Sequence, residues 1–224
     1  MWNRIVVTDQ NRGVYGALVH DHLRKRRVLF HEKLGWDIPC SAHIEQDQYD
    51  RAETVYILVE RGGVVEGYAR LLPTLARVSY GTVEFSYMMR DATLGLLPGI
   101  PPSILGTRPA PQAEGVWEIS RVEAAGRGAL QALFLTIAEY MEQVEAVELL
   151  AFTRKNFGAI VRSIGFDAAE IGAHVDYGGR PYCAISMTWG GAPETAPWPK
   201  ICRCGWRDKL ERLTPAQSRP HSKT

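Results

Sequence analysis

A chain of 224 residues with 46% hydrophobic and 23% charged residues has an ordinary globular composition, enough for one large core or two small ones. Its formal net charge of +1 excludes bulk nucleic-acid binding, which needs a basic surplus to neutralise phosphates. No apolar run approaches membrane-spanning length, so no membrane partner is expected. The opening MWNRIVVTDQNR has no apolar signal core, so the expected compartment is the cytoplasm.

Ile5-Val6-Val7 predicts a first short strand. Over residues 14–33, Leu18, Leu23, Val28 and Leu29 recur at helical spacing around a basic run at 24–27, predicting one helix, or two with a break. Gly35 stops it, and 39–48 reads as a loop. Residues 54–60, TVYILVE, predict a strand, Gly62-Gly63 a hairpin turn, and 64–72 the return strand ended by Pro73. Residues 74–114 carry weak signals, and 95–111, rich in Pro and Gly, reads as an irregular excursion. Residues 115–123 predict the next strand. Residues 129–144 predict a helix, with Leu130, Leu133, Phe134, Ile137, Tyr140 and Met141 along one side. The continuous apolar run 147–153 predicts a central strand, and 156–164 a short helix closed by Gly165. The last strands are expected at 173–177 and 182–189, around Gly178-Gly179. This order suits an α/β fold, a mixed central sheet with helices on both faces. After Gly190 the composition turns to Ala, Pro, Thr, Lys and Arg, so 1–190 is expected to form the domain and 191–224 a tail. Of the four cysteines, Cys40 and Cys183 lie far apart, and Cys202 and Cys204 have no second pair at zinc-finger spacing. Reduced thiols and no metal are expected.

Three islands place charged residues beside aromatic ones. The first is residues 24–50, a cationic amphipathic helix ending in Gly35-Trp36 and then an acidic loop with Asp47 and Asp50. The second is Gly67-Tyr68-Ala69-Arg70-Leu71 and the third Trp117-Glu118-Ile119-Ser120-Arg121. Together they suit a pocket for a small zwitterionic, cationic substrate. Acidic groups would face an ammonium, and aromatic faces a delocalised or onium cation. Arginines would take a carboxylate or brace the acidic loop.

The ordered set Arg26, Phe30, Trp36, Asp47, Asp50, Arg70, Phe85, Glu118 and Arg121 resembles that of the LuxI-type autoinducer synthases, the enzymes that make acyl-homoserine lactones. The resemblance covers about residues 4–190. It rests on an Arg with Phe four residues on, a Gly-Trp pair, the run Glu45-Gln46-Asp47-Gln48-Tyr49-Asp50, an Arg on the return strand, and a Trp-Glu-aliphatic-Ser-Arg strand. It implies a GNAT-like fold, an acyltransferase, and no cofactor, S-adenosylmethionine being a substrate. An acyl thioester donates its acyl group to the amine of S-adenosylmethionine, and the product lactonises with release of methylthioadenosine.

On that resemblance Arg26, Phe30, Trp36, Asp47, Asp50 and Arg70 are assigned to S-adenosylmethionine, by direct contact or as an ion-pair frame, and Glu118 and Arg121 to catalysis. Glu118 is the expected general base, directly or through water, or else a salt-bridge partner. A splayed strand near Glu118 would offer amides to the thioester oxyanion. The donor is acyl-CoA or an acyl carrier protein thioester. Gly126-Arg127-Gly128, a loop leading into a helix, suits a CoA pyrophosphate and favours acyl-CoA. Phe85, Ala151, Phe152, Arg154 and Phe157 are assigned to the acyl and donor side or, for the apolar ones, to plain core. With Phe166, the bulk of Phe152 and Phe157 favours a short, branched or aromatic acyl group. The competing readings are a GNAT-type acyltransferase on another amine and a non-catalytic binding protein.

Overall fold

The computed structural model describes residues 1–190; the expected tail, with Cys202 and Cys204, lies outside the described residues. One eight-stranded sheet organises the chain, in the order β1 (Asn3–Val7), β2 (Val55–Arg61), β3 (Val64–Pro73), β6 (Val116–Ala124), β7 (Glu148–Arg154), β10 (Pro181–Thr188) and β8 (Asp167–Glu170). The two-residue strand β9 (Val175–Asp176) pairs with β10 beside β8. The β2–β3 hairpin turns on Gly62 and Gly63, at φ 62° and 82°, the left-handed pair that a two-residue primed turn requires. Every sheet pairing is antiparallel except β6 with β7. A parallel pair needs a crossover, which α3 (Arg127–Gln143) supplies.

The sheet has helices on both faces. On one, α3 and α4 (Phe157–Ser163) pack Leu133, Phe134, Ile137 and Val161 onto Val55, Ile57, Leu71 and Leu149. On the other, α1 (Gly16–Arg26) lays Val19 and Leu23 against Tyr56, Leu58 and Tyr68. The helix expected over 14–33 does not break. It widens into a π-helical segment, Arg27–Lys33, a form found mostly at functional sites. Trp36 N–H then reaches back to the Phe30 carbonyl at 2.9 Å, which lays the Trp36 ring on Phe30 at 4.9 Å, 26° between planes.

Two expectations need correction. The weak stretch 74–114 contains a hairpin, β4 (Val78–Tyr80) with β5 (Val83–Phe85), then α2 (Met88–Thr93) and a 3₁₀ turn, Pro102–Leu105. Its Tyr87, Met89, Ile104 and Leu105 are buried against Leu72, Leu150 and Ala184. It is therefore a packed layer, and its local pattern is weak because tertiary contacts hold it. The edge strand β8 was not expected; its DAAE segment has no β-branched residue and owes its pairing to β10. No described helix is long and apolar enough to cross a membrane.

Gly172 marks where the 3₁₀ turn meets the sheet: a Cβ there would lie 1.9 Å from the Ile104 carbonyl oxygen. Gly172→Ala is therefore expected to lower the melting temperature sharply, and Gly16→Ala, with open space around it in α1, to hold or raise it. Equal melting temperatures for the two variants would contradict this packing.

Candidate active site

The site begins with a buried set of ion pairs. Arg26 on α1 pairs through Nε with Glu45 at 2.5 Å and through both Nη atoms with Asp50 at 2.7 and 2.9 Å. Arg70 on β3 reaches Asp47 at 2.5 Å and Asp50 at 3.1 Å, and donates Nε–H to Ser120 Oγ at 3.0 Å. Arg121 on β6 closes the circuit to Glu45 at 3.0 Å and Asp47 at 3.2 Å. Arg26, Arg70, Glu45 and Asp50 are almost wholly buried. Burial alone would push the Asp50 carboxyl up, but Arg70 and Arg26 outweigh it and hold it well below the usual carboxylate range. Glu45 is lowered in the same way, with Arg121 and Arg26 opposing its burial. Next to this circuit, burial and then Arg26 lower His22 to about 3, so it packs as a neutral ring between Tyr56 and Tyr68.

In front of the ion pairs lies a cavity of about 760 Å³, within the usual range for small-molecule sites. The sheet creates it. β6 and β7 pair only from Val116–Glu148 to Glu118–Leu150; beyond that, Ile119–Val122 and Ala151–Arg154 separate and both line the cavity. Across β6 the β3 register slips between Tyr68 and Arg70, and Arg121 takes a left-handed φ of 55°, an unusual conformation for a non-glycine residue. That bend lets Arg121 reach Asp47 while its guanidinium sits over Phe30 and Trp36, at 5.1 and 5.8 Å.

The structure divides the predicted residues into two groups. Asp47, Arg121, Phe30, Trp36, Phe85, Ala151, Phe152, Arg154 and Phe157 line the cavity. Arg26, Asp50 and Arg70 do not; they form the frame behind it. Phe30 is buried under Trp36 and Arg121, so Trp36 presents the accessible face. Phe166 packs in the core against Phe134 at 5.2 Å and is absent from the cavity wall. Gly126, Arg127 and Gly128 are exposed at the start of α3, also off the wall.

Glu118 is neither an open base nor a partner in a salt bridge. Its two oxygens accept the Met88 and Met89 N–H groups at 2.8 Å each, anchoring the start of α2. Met88, not Glu118, touches the cavity. Burial raises its carboxyl from 4.5 to about 7, against the two amide bonds and the more distant Arg70, which favour the charged form.

Reading residues in isolation missed three contributors. Glu45 joins Arg26 to Arg121 and was visible only as part of the acidic run. Tyr177 and Tyr182 line the cavity, but no local pattern marks them, because the β9–β10 hairpin brings them there. One group of metal-type ligands occurs among the described residues, Glu170, His174 and Cys183, with ligand atoms within 4.8 Å of one another; none lines the cavity.

Comparison with known proteins follows the same lines. The autoinducer synthase family matches residues 12–95. The chain is 32% identical over 185 residues to an acyl-homoserine-lactone synthase of Ralstonia solanacearum, covering 77% of this chain and 80% of that protein. It is similar to TofI, solved in a ternary complex with an inhibitor and MTA, with 27% identity and a TM-score of 0.65 over 83% of this chain and 91% of that one. It also superposes on MesI, a CoA-dependent acyl-homoserine lactone synthase, at a TM-score of 0.72 over 94% of each chain; at 18% identity this likeness bears on fold alone. The mixed sheet with helices on both faces is thus the GNAT-like fold of these synthases.

Two outcomes follow from the buried charges. Asp50→Ala leaves three arginines facing two carboxylates and takes both Nη partners from Arg26, and is expected to cost about 3–5 kcal/mol of stability. Arg61→Ala, which breaks an exposed pair, should cost under about 1 kcal/mol. Denaturant unfolding compares them, and equal costs would contradict the frame. Because Glu118 binds its proton more tightly when folded, its contribution is fully present below about 4.5 and lost as pH rises to about 7. Glu118→Gln should flatten the stability profile across that window, and an unchanged slope would contradict the shift.

Proposed function

The chain belongs to the acyl-homoserine-lactone synthase family and is an acyltransferase, and from that premise we propose that its cavity takes S-adenosylmethionine at one end and a short, branched or aromatic acyl group at the other, with acyl-CoA as donor. The carrying observation is the cavity's two-sided lining. Asp47, Gln48, Arg121 and Trp36 give the lining a polar, aromatic set, and Ala151, Phe152, Phe157 and Ile160 an apolar one, which we read as two chambers that meet where the strands part.

In this reading Asp47 faces the substrate ammonium, Arg121 its carboxylate, and the outer face of Trp36 the sulfonium and adenine. The frame of Arg26, Asp50 and Arg70 holds Asp47 and Arg121 before substrate arrives, so less ordering is left for binding. The acyl thioester carbonyl sits where β6 leaves β7, and backbone amides freed from pairing there suit the developing oxyanion. The amine loses a proton and attacks the thioester carbon, and the thiol leaves. The carboxylate oxygen of the acylated product then displaces the sulfonium, closing the lactone and releasing methylthioadenosine, the MTA with which TofI was solved.

Glu118 receives the amine proton through one water, since it lies behind Met88 and each of its oxygens retains a lone pair. With its carboxyl at about 7, it is tuned to accept a proton near neutral pH. CoA is favoured by the start of α3. No side chain caps that helix at Gly126, so its first amides and the exposed Arg127 suit a pyrophosphate, and Arg154 adds positive charge on the cavity wall.

The test is turnover of purified protein with S-adenosylmethionine and a panel of acyl-CoAs and acyl carrier protein thioesters, read by mass spectrometry. Methylthioadenosine and one acyl-homoserine lactone from a short, branched or aromatic acyl-CoA are expected. Products from carrier-protein thioesters alone would overturn the CoA donor, and products from neither would overturn the substrate reading. Glu118→Gln should lower turnover about 10²–10⁴-fold while retaining S-adenosylmethionine affinity by calorimetry; undiminished turnover would remove Glu118 from proton transfer.

A further inference from the structure

Four separate segments converge on one ring that the assignments above leave without a role, that of Tyr177. It precedes the two-residue turn between β9 and β10. The Tyr177 N–H donates to the Arg180 carbonyl at 2.9 Å, and Gly178 and Gly179 sit at φ 62° and 73°, the left-handed pair of a tight primed turn. Asp176 Oδ1 accepts the Gly179 N–H at 3.1 Å. The turn is thus fixed at both ends, and so is the base of the side chain.

The ring is held as closely. It meets Trp36 edge-on at 5.6 Å, Phe152 at 6.1 Å and Tyr182 at 5.2 Å. A Cβ on Gly99 would touch it at 4.0 Å, so the loop of residues 97–100 abuts it as well. Trp36 belongs to the polar chamber, with Arg121 over its face; Phe152 and Tyr182 belong to the apolar wall. Tyr177 stands between them and lines the same cavity.

We propose that Tyr177 is a specificity-determining residue, the partition that closes the apolar chamber toward Trp36 and so limits the length of the acyl group. This rests on the two-chamber reading above. A flexible side chain at this position would yield to a longer chain, whereas a ring braced on three aromatic neighbours and a tight turn does not. Chains that outgrow the space beside Phe152 would meet the ring, and those that fit would bury their methylenes against it.

The experiment compares Tyr177→Phe, Tyr177→Leu and Tyr177→Ala with the unmodified chain, using straight-chain acyl thioesters of increasing length. The readout is the ratio of kcat/KM for long over short donors, which loss of folded protein does not move. Tyr177→Phe keeps the ring and should keep the ratio. Tyr177→Leu and Tyr177→Ala should raise it, by about fourfold for each methylene newly accommodated. An unchanged ratio in Tyr177→Ala, or a shift in Tyr177→Phe as large as in Tyr177→Ala, would overturn the partition. Calorimetric affinities for acyl-homoserine lactones of the same lengths read the chamber without turnover. An unmodified chain that turns over no donor would count against the synthase chemistry, while an unchanged length preference in the calorimetry, or no binding of any lactone, would overturn the partition itself.

Discussion

Three arginines and three carboxylates, almost wholly withdrawn from water, hold this molecule's site together. Arg26 comes from a helix, Arg70 and Arg121 from two neighbouring strands, and Glu45, Asp47 and Asp50 from one loop. Such a set gives little net stability, because desolvation offsets most of the attraction. Its effect is directional. No member can leave without stranding a buried charge, so the loop carrying Asp47 and the helix leading to Trp36 are fixed against the sheet. The cavity wall inherits that rigidity: Asp47 is held from behind by Arg70 and from the side by Arg121.

The second constraint is the single parallel pair. β6 and β7 run together for three residues and then part, and the space between them becomes the cavity. Two devices keep it open. The left-handed φ at Arg121 bends β6 outward, and Glu118, the last paired residue, uses both oxygens to hold α2 across the opening. One buried carboxylate therefore shapes the wall, and its raised protonation range makes it a proton acceptor near neutral pH in the proposed chemistry.

Much of this was legible in the residues. Gly62-Gly63 between two apolar runs marks a hairpin, the 3.6-residue stripe of α3 marks its buried face, and the continuous apolar run of β7 marks a strand covered on both sides. The charged and aromatic islands were visible too. What residue types cannot say is on which side of a wall they stand. Asp47 and Asp50 look equivalent in the loop, yet one lines the cavity and the other is enclosed by Arg26, Arg70 and Tyr56. Phe157 and Phe166 look alike, yet only Phe157 reaches the chamber. Gly126-Arg127-Gly128 has a loop composition suited to phosphates but is exposed and does not line the cavity. Tyr177 carries no local signal at all, because Trp36, the Gly99 loop and Phe152 come from three distant segments and only Tyr182 from its own hairpin.

The central claim is that the frame prepares one chamber for S-adenosylmethionine, and a crystal structure of the chain grown with that compound tests it most directly. The account predicts its ammonium on Asp47, its carboxylate on Arg121 and its rings against Trp36, with the ion pairs of Arg26, Asp50 and Arg70 unmoved. Substrate seated instead in the open groove beside Tyr80 and Ser41, which shares Asp47 but not Arg121 or Trp36, or a frame that rearranges to admit it, would contradict the account.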